Sequence, residues 1–281
     1  MTLQHSTAPV LVTGASGYIA SWVIQKLLTQ GYTVHATVRD LNKSQSYTHL
    51  EQIADSSPGT LKLFEANLLK PGSFNAAMQG CEIVFHMASP FVVTNYKDAL
   101  KDIIEPAILG TQNVLNSVNK TESVQRVIVT SSIASTYGDA IDILQTEHTS
   151  FDESHWNTTS SETHQPYPYS KVMAERKAWE MAEAQDRWDL VCINPALVFG
   201  QSLTPNTQSG SVEVLQQFAN GMTLLGVPPM WNGVVDVQDV AEAHIRAAFN
   251  PQAHGRYIVS SETLSLLEMG KILRNAFGPT F

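Results

Sequence analysis

Short runs rich in strand-forming residues alternate along the chain with segments whose apolar residues recur every three or four positions. The runs 9–13, 33–38, 61–65, 83–87, 127–131 and 190–194 have strand length. Between them the period changes. Segment 18–30 carries Ile19, Val23, Leu27 and Leu28 on one helical face, and 99–118 carries Ile103, Ile104, Ala107, Ile108, Val114, Leu115 and Val118 at mostly helical spacings. Strands that are apolar on both faces and alternate with helices predict a parallel sheet covered on each side, an α/β doubly wound fold.

The pattern then loosens. Residues 138–166 are polar, rich in Thr, Ser and His, and without period. A long excursion of this kind inside a compact domain is usually functional. A helix is expected at 172–184. Residues 200–232 hold Pro205, Pro228, Pro229 and several glycines around one helix at 211–220. Asp236, with Asp239 three residues on, marks the N-cap of a helix at 237–248. A late strand at 256–260 and a final helix at 263–276 complete the expected elements.

Composition narrows the class. The chain has 281 residues, 43% of them apolar and 15% charged, with a net charge of −9. No basic run exists, which excludes a nucleic-acid partner. The N-terminus lacks the basic and apolar regions of a signal peptide. The uncharged stretch 190–212 is broken by Asn194, Pro195, Gly200 and a polar tail from Gln201, so no membrane association is expected. Cys81 and Cys192 sit in apolar runs and read as buried thiols. These features describe a soluble, reduced, cytoplasmic protein. No His-Glu-x-x-His or Cys-x-x-Cys pattern occurs, and no metal is expected. His148, His155 and His164 read as solvated, and His86 as packed.

The chemistry begins at Gly14-Ala15-Ser16-Gly17-Tyr18-Ile19-Ala20, between the first strand and the first helix. Gly14 suits a tight turn, Gly17 the close approach of a pyrophosphate, and Ala20 the tight packing of helix on strand. Ser16, Tyr18 and Ile19 contribute the helix N-terminus that binds the anion. An NAD site wants a carboxylate at the end of the second strand. Here Val38 stands there, followed by Arg39, which suits the 2′-phosphate of NADP(H). Lys43 and Ser44 are weaker candidates for the same phosphate. A second constellation comprises Thr130, Ser131 and Ser132 at the end of the fifth strand, with Tyr167 and Lys171 four residues apart on one helical face. Tyr169 has the wrong spacing to Lys171. An ammonium beside a phenol favours proton transfer from it, and Ser132 can hold the oxygen that receives the proton.

With these motifs in place, the sequence resembles the extended short-chain dehydrogenases/reductases. It is most similar to the branch of dihydroflavonol reductases, cinnamoyl-CoA reductases and microbial NADPH-dependent aldehyde and ketone reductases. The resemblance rests on VTGASGYIA (12–20), ATVRD (36–40), FEANL (64–68), VFHMASP (84–90), VTSSIAS (129–135), YPYSK (167–171), INPALVFG (193–200) and DVQDVAEAH (236–244). It implies a Rossmann domain over 1–200 and 233–259, with a smaller discontinuous substrate-binding region over 201–232 and 260–281. It also implies Asn67 and Leu68 beside the adenine, Met87, Ala88 and Ser89 along the cofactor, and Pro195, Ala196, Leu197 and Val198 past the nicotinamide. Asn113 is expected to fix local backbone.

Tyr137 replaces the Asn of plant flavonoid reductases. Gln165-Pro166-Tyr167 replaces the Asn-Trp-Tyr segment of the cinnamoyl-CoA branch. The implied activity is therefore reduction of a small hydrophobic or aromatic aldehyde, ketone or ketoester by NADPH, in a monomer or homodimer. Met230 and Trp231 are candidates for an apolar substrate wall. Relatives continue past Phe281, which implies a less enclosed substrate side. Two other classes share parts of this pattern: an NAD-retaining nucleotide-sugar epimerase or dehydratase, and a non-catalytic NADP-binding sensor.

Overall fold

The computed structural model describes residues 8–90, 96–204, 209–221, 223 and 226–278. Residues 205–208, 222, 224, 225 and 279–281 of the expected substrate region lie outside them.

The described elements are, in chain order, β1 (Val10–Val12), α1 (Tyr18–Thr29), β2 (Thr33–Val38), α2 (Thr48–Asp55), β3 (Thr60–Glu65), α3 (Asn75–Met78), β4 (Ile83–His86) and α4 (Glu105–Lys120). There follow β5 (Arg126–Thr130), α5 (Pro166–Glu183), β6 (Asp189–Pro195), β7 (Leu197–Phe199), α6 (Gly210–Ala219), β8 (Trp231–Asp236), α7 (Val237–Phe249), β9 (Gly255–Val259), β10 (Glu262–Ser265) and α8 (Leu266–Phe277).

Seven strands form one parallel sheet in the order β3-β2-β1-β4-β5-β6-β9. The expected doubly wound fold is therefore present. Its strand order reverses between β1 and β4, and open α/β sheets bind ligands outside that crevice. Alternation within each strand separates two cores. Val10, Val12, Ile83, Phe85 and Ile128 face the layer of α1, α2 and α7. Leu11, Val84, Val127 and Val129 face α3, α4 and α5. Both faces are buried, which is why these strands read as continuous apolar runs.

A three-stranded sheet, β10-β8-β7, packs with α6 and α8 around Phe218, Val234 and Met269. Strands β7 and β8 pair in parallel, and β10 joins β8 antiparallel.

The expected helix at 263–276 divides. Its first residues form β10, and Ser265 caps α8 reciprocally with Glu268. The expected helix at 99–118 opens with a π-helical turn, Leu100–Ile104, before α4. Asp236 does cap α7, accepting the N–H of Gln238 at 2.7 Å. Both cysteines are buried and free. Among the described residues no helix is long and apolar enough to cross a membrane.

Candidate active site

The glycine turn sits where β1 ends. Gly14 has φ +68°, and a Cβ there would lie 2.8 Å from Ala88 Cα on the neighbouring β4 connection. Only glycine permits both the left-handed backbone and that approach. The N–H of Ala15 donates to Thr37 O at 2.9 Å, tying the turn to the end of β2.

Helix α1 then starts with no acidic residue and no side-chain cap. The first-turn N–H groups of Tyr18 and Ile19 have no acceptor among the described residues. Such a helix start, opening on a glycine cradle, fits a pyrophosphate. Gly17 stands at its N-cap and Ser16 is half-buried beside it. The Tyr18 side chain has a different task. Its hydroxyl donates to Gly200 O at 2.8 Å, and burial, with Asp236 nearby, pushes its pKa up to about 12. Trp22 Nε1 donates to Gln201 O at 2.8 Å, so α1 also anchors the chain leaving β7.

Arg39 leaves the end of β2 exposed and without a protein partner among the described residues. Asp40 is turned into its own loop, where Oδ1 accepts the N–H of Asn42 at 2.9 Å. Lys43 is exposed, 4.0 Å from Asp40. Asn67 is exposed at the end of β3, and its Oδ1 accepts the N–H of Leu69. Leu68 packs against Gly110, and Asn113 Nδ2 donates to Leu68 O at 2.7 Å, the backbone role expected of it.

After β4, the N–H groups of Met87 and Ala88 both donate to Thr13 Oγ1 at 3.0 Å. The Thr13 hydroxyl in turn lies 3.1 Å from His86 Nδ1. His86 is buried, and burial together with the charge of Lys171 holds its pKa down to about 4. It is a packed neutral ring.

The Ser, Tyr and Lys residues come from two elements that pack together, α5 and the 3-10 turn Ile133–Ser135. Ser132 caps that turn, accepting the N–H of Ala134 at 3.2 Å. Helix α5 starts at Pro166, not at 172 as the sequence pattern predicts. Pro166 and Pro168 occupy first-turn positions whose N–H groups have no intrahelical acceptor, so they cost the helix nothing. Tyr167 and Lys171 therefore lie on its first turns. Lys171 Nζ lies 5.6 Å from the Tyr167 ring centroid and donates to Ser89 Oγ at 3.1 Å, joining α5 to the β4 connection.

Gln165, just before the helix, has φ 55° and ψ 62°, the one positive φ among described non-glycine residues. Its side chain is held at both ends, to Asp139 Oδ1 at 2.7 Å and Ser160 Oγ at 3.1 Å. The 138–166 excursion thus clamps Gln165, two residues before Tyr167. At the entry to the excursion Tyr137 stacks on Phe151, ring centroids 4.7 Å apart. His155 is not the solvated ring expected. It is half-buried, lies 2.8 Å from Asp152 Oδ1, and meets His148 and Phe151 edge-on.

Thr130 Oγ1 lies 2.7 Å from the buried His244 Nε2, which turns the hydroxyl toward α7. Pro195 ends β6, Ala196 links it to β7, and Leu197 and Val198 belong to β7 of the small sheet. Met230 and Trp231 are exposed. No cluster of metal-ligating side chains exists among the described residues.

The sequence profile of the NAD dependent epimerase/dehydratase family matches residues 10–259. The chain belongs to that family. Within this extended short-chain dehydrogenase/reductase family it is 41% identical over 271 residues to a cinnamoyl-CoA reductase of Medicago truncatula, covering 95% of this chain and 80% of the relative. It is 34% identical over 277 residues to a dihydroflavonol 4-reductase of Gerbera hybrida, covering 97% and 73%. The crystal structure of yeast methylglyoxal/isovaleraldehyde reductase complexed with NADPH superposes with a TM-score of 0.83 at 27% identity, covering 96% of this chain and 82% of that one.

Four residues whose hydrogen bonds tie the segments of the candidate site together were not anticipated from the sequence: Thr13, Asn194, Glu175 and Arg256. Glu175 carried a signal, since it lies four residues beyond Lys171 and shares its helical face.

Proposed function

We propose that this protein is an NADP(H)-dependent reductase of a small hydrophobic or aromatic aldehyde, ketone or ketoester. The observation that carries the reading is the convergence of Tyr167 and Lys171 on one face of α5, with the Ser132 turn packed on that helix and Lys171 reaching Ser89. The reductase names of the relatives and the NADPH in the yeast structure support it.

Gly14, Ser16, Gly17 and the first-turn N–H groups of Tyr18 and Ile19 hold the pyrophosphate. Arg39, assisted by Lys43, holds the 2′-phosphate, and Asn67 and Leu68 flank the adenine. Met87, Ala88, Ser89, Thr130 and the Pro195 to Val198 run line the remaining length of the cofactor, and Lys171 holds the nicotinamide ribose. NADPH, when bound, supplies a hydride. Tyr167 donates the proton to the carbonyl oxygen, Ser132 donates a hydrogen bond to that same oxygen, and the Lys171 ammonium stabilises the phenolate left behind.

The test is loss of NADPH absorbance, with NADH in parallel, against aromatic and aliphatic aldehydes and α-ketoesters. Turnover with NADPH is expected. Its absence across the panel, despite NADPH binding, contradicts the reading and points to a sensor. NAD retained through purification would instead favour an epimerase. Arg39→Ala separates the two cofactors: loss of a charge-assisted contact worth about 1.5–3 kcal/mol raises the KM for NADPH by roughly 10- to 100-fold. The KM for NADH is expected to stay unchanged. Equal effects on both would place the 2′-phosphate elsewhere.

A further inference from the structure

We propose that Glu175 is a positioning residue that fixes the Ser132 turn against the helix face bearing Tyr167 and Lys171. Arg256 extends that grip to the 138–166 excursion. The inference rests on the reductase reading and adds residues to it.

Tyr167, Lys171 and Glu175 are spaced by four and form one stripe along α5. The first two are half-buried and reach toward the cofactor side, whereas the Glu175 side chain has no exposed surface. A buried carboxylate must be paired and hydrogen-bonded.

Its two oxygens divide the work. Oε2 accepts from Ser131 Oγ, Ser135 Oγ and Asn194 Nδ2. Ser131 immediately precedes Ser132, and Ser135 ends the turn that Ser132 caps. Asn194 Nδ2 also lies 3.2 Å from Ser132 O. Every partner of Oε2 therefore lies on the Ser132 turn or on β6 beside it. Oε1 accepts from Arg256 Nε at 2.6 Å and from Trp179 Nε1 at 3.4 Å.

Arg256 comes from β9 and is itself buried at its side chain. Its Nη1 donates to Glu153 O and His155 O, its Nη2 to Ser135 Oγ, and its guanidinium lies 4.0 Å from the Trp156 ring centroid. One guanidinium thus joins Glu175, the Ser132 turn and the 138–166 excursion.

Stability alone gives a weak reason for such a pair. Well-packed apolar residues in place of a buried ion pair are often as stable or more so. What the carboxylate adds is direction, several fixed bonds that set where Ser132 stands relative to Tyr167. Neither Glu175 nor Arg256 is placed to touch a reacting atom.

The experiment is steady-state kinetics of Glu175→Gln with NADPH and a reducible carbonyl. Displacement of a reacting group by about 1 Å costs on the order of 100-fold, so kcat is expected to fall by about that factor while both KM values hold. In a Ser132→Ala background the same substitution is expected to cost little more, because the hydroxyl it places is already gone. Full additivity with Ser132→Ala overturns the proposal.

Glu175→Gln leaves Arg256 buried and unpaired, so the Glu175→Gln/Arg256→Gln double variant guards against loss of fold. It should recover the wild-type Tm and keep the low kcat. Recovery of both means the pair is merely structural. If the wild-type protein reduces no carbonyl, the functional reading fails by itself. Amide hydrogen exchange over 131–136 then decides the positioning question: faster exchange confined to that segment in the double variant supports it, and unchanged or uniformly raised exchange overturns it.

Discussion

Tyr167→Phe is expected to lower turnover by about a hundredfold to ten-thousandfold, the range that a positioned general acid contributes. The substitution removes one hydroxyl from the first turn of α5 and leaves the ring in place. Lys171 keeps its bond to Ser89, and the glycine turn lies on different elements. NADPH affinity, read by fluorescence titration, is therefore expected to be unchanged, as is Tm. Loss of binding together with turnover would make Tyr167 a structural residue. Tyr169→Phe is the matched control, because Tyr169 does not share the Lys171 face, and it should retain activity.

Gly14→Val acts at the other end of the site. A side chain at φ +68° costs about 1–2 kcal/mol from the left-handed backbone alone. The added Cβ would lie 2.8 Å from Ala88 Cα, which is backbone and cannot swing aside. Strain at that contact forces β1 and the β4 connection apart where the pyrophosphate is proposed to sit. A Tm lower by roughly 5 °C and NADPH affinity weaker by more than about tenfold are expected. Differential scanning calorimetry and cofactor titration measure the two effects. A variant with wild-type affinity would remove the glycine turn from the cofactor site.

The doubly wound sheet was legible because its strands are buried on both faces, so β1 and the centres of β4 to β6 read as apolar runs. The small sheet was not. Strand β7 has only three residues, and β8 contains Gly233 and buries only Val234 and Val235, which leaves no period to detect. Strand β10 precedes α8 without a break in the apolar pattern, and only the Ser265-x-x-Glu268 capping box marks where the helix begins.

The start of α5 was misplaced because Pro166 and Pro168 read as breakers, although a first helical turn accepts them. The glycine turn and the Ser, Tyr and Lys residues were legible from spacing and context. The grip of Glu175 and Arg256 on the Ser132 turn was not, because those residues lie 81 positions apart in the chain and meet only through β6 and β9.

The most direct test of the account follows an isotope. The protein is incubated with a reducible aldehyde and NADPH deuterated at its transferable position, and the product is analysed by mass spectrometry. The account predicts an alcohol carrying deuterium on its former carbonyl carbon, formed in step with NADPH consumed and lost in Tyr167→Phe. Alcohol without the label, or formed equally by Tyr167→Phe, would contradict it.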